Sequence, residues 1–189
     1  MCSKEGLEAD DIIGTLSKHL PVHSYIYTGD RDSYQLVDDK TDVCFTKRGV
    51  SDLLKLNTEN FKEIVGIEPP QIVDLKALMG DKSDNIPGVA GIGEKTALSL
   101  IEKYGTLDGV YAHIEDIKGA TAEKLKNGRE SAYLSYKLAT IDRDCDVTVD
   151  LSACSTPFRF PRSVRDMFAE FEFRSLLKDS LFEEEDKTP

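Results

Sequence analysis

LMGDKSDNIPGVAGIGEKTA, residues 78–97, sets Asp81 and Asp84 directly before three closely spaced glycines, Gly88, Gly91 and Gly93. Glycine permits positive φ and close backbone approach, so this spacing predicts a tight, irregular turn. A helix starting near Glu94 aims its first N–H groups outward, with Lys95 and Thr96 beside them, which suits an anion such as phosphate. Lys82, in the same stretch, can follow a phosphate backbone. With a helix expected over residues 70–79, the stretch reads as a helix-hairpin-helix with an extended loop. Such a device grips DNA by its backbone and positions it without reading sequence. The other reading of the same residues is an ordinary tight turn between two helices.

Upstream lie two further acidic clusters: Glu8, Asp10 and Asp11 in LEADDIIGTL (7–16), and Asp30 and Asp32 in YTGDRDSYQLV (27–37). Glu8 and Asp11 are three apart and share a helical face, with Asp10 offset but near. Asp30 and Asp32 converge only if the backbone turns, as Gly29 allows. Clustered carboxylates repel one another and are tolerated where hard cations bridge them. Converged, the three clusters make an oxygen-rich cage for Mg²⁺ or Mn²⁺. Two such ions polarise a phosphate, activate a water and stabilise the leaving oxygen. Singly, each cluster reads as helix-dipole or turn acids. Their order, followed by the hairpin, points to phosphodiester hydrolysis.

The 189 residues suffice for one ordinary domain or a compact pair, and 40% hydrophobic with 31% charged residues is a globular composition. No apolar run reaches the length of a membrane span, and the start lacks an apolar signal core, which predicts a cytoplasmic protein. Cys2, Cys44, Cys145 and Cys154 form no C-x-x-C pair and read as reduced thiols. The net charge of −11 argues at first against a nucleic-acid partner, but without the seven clustered acids the chain has 28 acids against 24 bases. His19, His23 and His113 lack metal-ligand spacing. Tyr25, Tyr27 and Tyr34 read as strand packing or base-stacking groups; Lys103 as a solvated or phosphate-following lysine; Arg159, Arg162, Arg165 and Arg174 as surface charge or a duplex contact.

Residues 7–20 read as a helix with Ile12, Ile13, Leu16 and Leu20 on one face, ended by Pro21. Strands are expected over 22–28 and 43–46, a short helix over 33–37, and a turn at Lys47-Arg48-Gly49. Helices are expected over 58–65, 70–79, 94–104 (Gly105 capping it), 107–114, 121–126, 129–140, 162–171 and 174–180. Residues 145–151 read as extended. The fold class is therefore α/β: an incomplete sheet followed by a mostly helical region. Two strands are too few for a buried parallel sheet, so the chain reads as one whose beginning is missing.

The three quoted motifs, in this order, resemble consecutive motifs of the 5′-nuclease domains of the bacterial DNA polymerase I type, in the flap endonuclease superfamily. The resemblance covers about residues 7–182. It implies a PIN-like nuclease core over 1–68, a helix–three-turn–helix DNA-binding and helical region over 69–182, and an acidic tail over 183–189. It implies metal ligands at Glu8, Asp10, Asp11, Asp30, Asp32, Asp81 and Asp84, with Asp30, Asp32, Asp81 and Asp84 catalytic. The hairpin role carries over onto Gly88, Gly91, Gly93 and Lys95; some family members hold K⁺ there through backbone oxygens. Arg31 stands where the family often has lysine. The implied cofactors are two divalent ions, the partner is DNA with a 5′ end or 5′ flap, and a linked polymerase domain is a further implied neighbour. The implied activity is 5′→3′ exonuclease or flap endonuclease in replication and repair. An upstream strand with an early metal-binding aspartate, a second aspartate and a basic arch, which the family has, are not in this sequence. That departure implies exposed strand edges and a marginal fold in isolation. It also keeps a second reading open: a fragment that holds duplex DNA without cutting it.

Overall fold

In the computed structural model the described residues are 2–48, 52–155 and 159–182, leaving aside the side chains of Arg48 and Asp179. The chain divides into two units, 1–148 and 149–189.

The first unit opens with α1 (Ala9–His19), whose N-terminal residue Glu8 donates its N–H to Asp11 Oδ2 at 3.2 Å. A side chain that accepts an otherwise orphaned N–H at a helix start fixes where the helix begins. Pro21 follows its last turn, as expected. The helix faces inward through Ile12, Gly14, Thr15 and Ser17. A β-carbon at Gly14 would stand 2.8 Å from Ile141 Cγ2, so glycine lets residues 141–146 lie directly across α1. Those residues are pinned by Asp142 N–H to Asp11 Oδ1 and by Cys145 N–H to Thr15 Oγ1. The segment read as extended over 145–151 therefore joins no sheet; its polar groups bond partly to α1 rather than to a strand.

The sheet has three strands, β1 (Ser24–Thr28), β2 (Thr41–Arg48) and β3 (Asp52–Leu56), in the order β1-β2-β3. β1 runs parallel to β2 with Ile26 opposite Val43, and β3 runs antiparallel with Leu56 opposite Val43. β3 has no counterpart in the sequence reading. Residues 47–48, expected in a turn, continue β2, because Arg48 pairs with Asp52 of β3 across an irregularity at Lys47; Gly49 lies outside the described residues. Ile26, Val43 and Leu56 face a core shared with Leu36, Phe61 and Leu78. Edge strand β1 presents Tyr25 and Tyr27 to solvent, whereas Tyr34 packs edge-on against Phe45 and Phe61.

The helices α2 (Phe61–Val65), α3 (Gln71–Met79), α4 (Glu94–Tyr104), α5 (Leu107–Ala112), α6 (Ala120–Asn127) and α7 (Arg129–Ala139) follow. α5 stops at Ala112, short of the expected 114, and a 3₁₀ turn, Ile114–Asp116, continues from it. α3 is the centre of the unit: residues 72–78 are all buried, packed between α4, α7 and the 3₁₀ turn Asp32–Leu36. A helix buried on every side normally carries no charge unless the charge is paired. α3 carries two, Asp74 and Lys76. Asp74 Oδ1 accepts the Leu107 N–H that starts α5, and Lys76 meets carboxylates from outside α3.

In the second unit, α8 (Arg162–Glu170) leads into an aromatic cluster in which Phe168 meets Phe160, Phe173 and Phe182 edge to face. The helix expected over 174–180 is instead two 3₁₀ turns, Arg174–Leu176 and Asp179–Leu181. Glu172 takes a left-handed φ of 55°, and Phe160 N–H bonds Leu181 O at 2.8 Å, so the chain folds back onto α8. The acidic tail read over 183–189 lies outside the described residues. Among the described residues no helix is long and apolar enough to cross a membrane.

Candidate metal centre and phosphate-facing hairpin

Asp32 opens the 3₁₀ turn after β1, at the C-terminal end of a strand, where open α/β sheets place their ligands. Asp30 shapes this turn: its N–H donates to Thr28 Oγ1, and its Oδ1 accepts the Asp32 N–H, both at 2.9 Å. Asp81 and Asp84 sit in the loop after α3. That loop is closed by reciprocal backbone bonds between Asp81 and Ile86, at 2.9 and 2.8 Å, with Asn85 left-handed at φ 56°. The two segments converge: one carboxylate oxygen from each of Asp32, Asp81 and Asp84 lies within 4.8 Å of the others.

Asp10 is drawn to the same place. Burial, then the charges of Asp30, Glu8, Asp11 and Asp84, push its carboxyl above the usual range. Glu8, Asp10, Asp11 and Asp32 line one cleft of about 320 Å³. Asp11 is the member of the seven with both oxygens engaged by backbone, Oδ1 by Asp142 N–H and Oδ2 by Glu8 N–H. Its visible work is structural.

Sequence reasoning missed Lys76. Its side chain is 6% exposed, and Nζ contacts Asp32 Oδ1, lies 2.7 Å from Asp81 Oδ2 and 3.8 Å from Asp84 Oδ2. The signal was present: a lone lysine among the apolar residues of IVDLKALM must be buried, and a buried ammonium needs carboxylates. Burial pushes Asp32 up to about 6, against the hydrogen bond from Lys76. Burial also opposes ionisation of Asp81, but hydrogen bonds from Lys76 and Ser83 win and hold it down at about 2. Neighbouring acids thus sit in opposite electrostatic situations. The donor set is all carboxylate and already encloses a positive charge, which fits a hard divalent cation.

The hairpin residues divide into two groups. Gly88, Ser131 and Ser135 form a closed loop of bonds. Gly88 N–H donates to Ser135 Oγ at 2.8 Å, Ser135 Oγ to Ser131 O at 2.7 Å, and Ser131 Oγ to Gly88 O at 2.6 Å. The N–H of Gly88 is therefore engaged within the protein, and glycine is needed there for the fold. Gly91 is tied by its carbonyl to Lys124 Nζ at 3.0 Å. Gly93 is the N-terminal cap of α4, and a β-carbon there would meet nothing within 4 Å. Its carbonyl accepts from Thr96 and Ala97, and the N–H groups of Glu94 and Lys95, in the first turn, have no acceptor within the helix, with exposed Lys95 and half-buried Thr96 beside them. Lys82 is exposed on the loop between Asp81 and Asp84. Of the histidines, His19 pairs with Asp144, His23 with Asp42, and His113 bonds Gly109 O.

Residues 1–66 match the model of the 5′-3′ exonuclease N-terminal resolvase-like domain, and residues 67–159 that of the 5′-3′ exonuclease C-terminal SAM fold. The chain belongs to the 5′-3′ exonuclease family. It is 44% identical over 189 residues to DNA polymerase I of Bacillus caldotenax and 38% identical over 192 residues to that of Bacillus subtilis strain 168. Each match takes in 97% of this chain, and the chain spans 22% of the length of either relative. Among solved structures it resembles bacteriophage T5 5′-exonuclease with divalent metal (zinc) bound, at TM-score 0.62 and 26% identity over 75% of this chain and 52% of that one. It also resembles the bacteriophage T5 flap endonuclease in a pseudo-enzyme-product complex with DNA and metal ions, at TM-score 0.62 and 25% identity over the same shares. The fold is thus that of a 5′-nuclease: a small α/β core joined to a helical region.

Proposed function

We propose that the chain is a divalent-metal-dependent 5′→3′ exonuclease and 5′-flap endonuclease domain, with DNA carrying a 5′ end or 5′ flap as substrate. The observation that carries this reading is the convergence of Asp32, from the turn after β1, with Asp81 and Asp84, from the loop after α3, where Asp81 shares a cavity with Glu94 at the start of α4. Family membership and the metal- and DNA-bound T5 structures support it.

In this reading Asp32, Asp81 and Asp84 would hold Mg²⁺ or Mn²⁺, and Asp10, Asp30 and Glu8 would add carboxylate for a second ion. Asp11 holds α1 and residues 141–146 in place behind them. Bound divalent ions supply Lewis-acid stabilisation of the phosphate and a water of lowered pKa. The residues do the rest. The N–H groups of Glu94 and Lys95, with Thr96 and the cations of Lys95 and Lys82, grip phosphates and orient the duplex. Gly91 and Lys124 hold the hairpin in shape. We place the boundary between core and DNA-binding region near residues 68–69, which the adjoining family matches at 66 and 67 support. A linked polymerase region fits the length of the relatives.

The test is cleavage of a labelled 5′-flap duplex by the purified chain in Mg²⁺, Mn²⁺ or EDTA, alongside Asp81→Ala/Asp84→Ala. Metal-dependent release of 5′ fragments, lost in the variant, is the expected result. Duplex binding without cleavage in either metal would overturn the enzymatic reading and leave a DNA-holding module.

A further inference from the structure

The Lys76 ammonium is placed where the carboxylates of the acidic cluster meet. It touches Asp32 Oδ1, stands 2.7 Å from Asp81 Oδ2 and 3.8 Å from Asp84 Oδ2, and those three residues are the ones whose oxygens converge within 4.8 Å. Asp81 makes the conflict specific. Its Oδ1 already accepts from Ser83 N–H, at 2.9 Å, and from the Ser83 hydroxyl. Oδ2 is the oxygen left to face a cation, and Lys76 is on it. A hard divalent ion binds carboxylate oxygen at roughly 2.0–2.6 Å, so an ion on Oδ2 would stand within about one further atomic diameter of Nζ. Two cations that close, in a half-buried site, repel strongly.

There is also somewhere for the lysine to go. Lys76 and Asp81 line a cavity of about 200 Å³ whose walls include Leu75, Met79 and Leu98 and whose rim carries Glu94. The apolar walls suit a lysine stem, and the Glu94 carboxylate suits its head, while Arg31 on the same cavity keeps the head to the Glu94 side.

We infer that Lys76 and a divalent cation are alternative occupants of the Asp32–Asp81–Asp84 cluster, so that metal binding displaces the Lys76 ammonium toward the Glu94 side. This rests on the metal reading of the cluster given above. Lys76 is a positioning residue: it offsets part of the charge of the three carboxylates and keeps their segments together whenever no divalent ion is bound, at the expense of metal affinity. The charge pairing explains why a helix buried over residues 72–78 keeps a lysine at this position.

The test is calorimetric binding of Mn²⁺ to the EDTA-stripped 189-residue chain, compared with Lys76→Met, Lys76→Arg and Asp81→Asn/Asp84→Asn. Lys76→Met is expected to bind Mn²⁺ about tenfold tighter or more, since a competing charge is gone. It is also expected to melt lower without Mn²⁺ and to gain more in melting temperature when Mn²⁺ is added. Lys76→Arg, which keeps the charge, should stay near the original affinity. A purely structural lysine would lower stability without tightening metal binding, so equal or weaker Mn²⁺ affinity in Lys76→Met overturns the inference. A readout on the unaltered chain covers the case in which Lys76→Met does not fold. Acetylation of the Lys76 amine, followed by mass spectrometry, should speed up when Mn²⁺ is added; an unchanged or slower rate overturns the displacement. If Mn²⁺ does not bind the unaltered chain, or binds Asp81→Asn/Asp84→Asn equally well, the metal reading itself falls and takes this inference with it. If binding is lost in that variant while Lys76→Met binds no tighter, only the inference falls.

Discussion

Gly88 lies backbone to backbone on Gly80: a β-carbon on Gly88 would stand 2.2 Å from the Gly80 nitrogen and 2.6 Å from its Cα. Gly88 is also left-handed, at φ 62°. Neither obstacle can move aside, since both are main chain. Gly88→Ala is therefore expected to cost roughly 3 kcal/mol or more, from overpacking and a strained φ together. Because Val89 N–H bonds Leu78 O across the same contact, the loss should displace the loop holding Asp81 and Asp84 and remove cleavage as well. Gly93→Ala, in open space with a negative φ, should stay within about 0.5 kcal/mol of the original chain. Chemical denaturation of both variants checks this, and equal losses would show that the Gly80–Gly88 contact does not set the turn.

Ser135 is fully buried and accepts the Gly88 N–H. Ser135→Ala leaves that N–H without a partner inside the protein, which should cost about 1–3 kcal/mol. The effect should be confined to stability at moderate temperature, because Ser135 touches neither acid nor phosphate-facing groups. Denaturant midpoints and cleavage rates measured on one preparation separate the two; an unchanged midpoint would mean that another group takes over the bond.

Asp11 and Asp84 belong to the same acidic set by sequence, yet the structure uses them differently. Asp11 bonds two backbone N–H groups, whereas Asp84 is half exposed, with Lys76 as its ion-pair neighbour at 3.8 Å. Asp11→Ala should lower stability by about 1–3 kcal/mol, through loss of the N-terminal cap of α1 and of the bond to Asp142. Asp84→Ala should leave stability within about 0.5 kcal/mol while cutting cleavage by on the order of a hundredfold or more. Thermal unfolding paired with single-turnover cleavage distinguishes them. A stable but inactive Asp11→Ala would move Asp11 into the metal set.

Lys95 and Lys82 are read as phosphate contacts, so each alanine variant should weaken duplex binding about equally across sequences. Each should also reduce the slope of log affinity against log salt by about 0.9. Gly93→Leu should weaken binding without a change in stability, since its side chain would project into the space in front of the α4 N–H groups. Fluorescence anisotropy over a salt series measures all three; unaltered slopes would place the DNA elsewhere.

The parts of the fold that sequence made legible are those encoded locally. The helices around α3 and α4 follow from apolar periodicity, and the acidic clusters and glycine spacing lie within short windows. What escaped depends on partners distant in sequence. DLLKL becomes β3 only because β2 offers a ladder, since its leucines favour helix as much as strand. Lys76 reads as a helix residue until Asp32, 44 residues upstream, meets it. Gly88 is recognisable as a turn glycine, but its contact with Gly80 and its bond to Ser135 are invisible until α3 and α7 pack. Residues 174–180 carry helix-forming leucines, yet the aromatic cluster around Phe168 folds them into two short turns. Local chemistry thus pointed to the candidate site, and tertiary packing decided which of those residues hold the fold.

Tyr111 tests how the hairpin is held from behind. Its hydroxyl donates to Leu125 O at 3.1 Å in α6, the helix whose Lys124 reaches Gly91 O. Burial, reinforced by neighbouring Tyr133 and opposed by Arg129, pushes the phenol up to about 12 from an ordinary value of 10.0. A group whose folded pKa is raised contributes stability that is fully present below its unfolded value and lost as pH rises through the folded one. The contribution of Tyr111 should therefore be intact below pH about 10 and decline between about 10 and 12. In an alkaline series followed by tyrosinate absorbance, ionisation should spread over several steps, since burial also pushes Tyr34, Tyr133 and Tyr136 up, with Tyr111 as the last component. Tyr111→Phe should abolish that late component and flatten the alkaline fall in stability. It should also weaken duplex binding at neutral pH, because α6 loses an anchor and Lys124 its fixed distance from Gly91. If all tyrosines ionise together near their ordinary value, the phenol is not buried as described, and the support of the hairpin must come from Lys124 and the α7 serines alone.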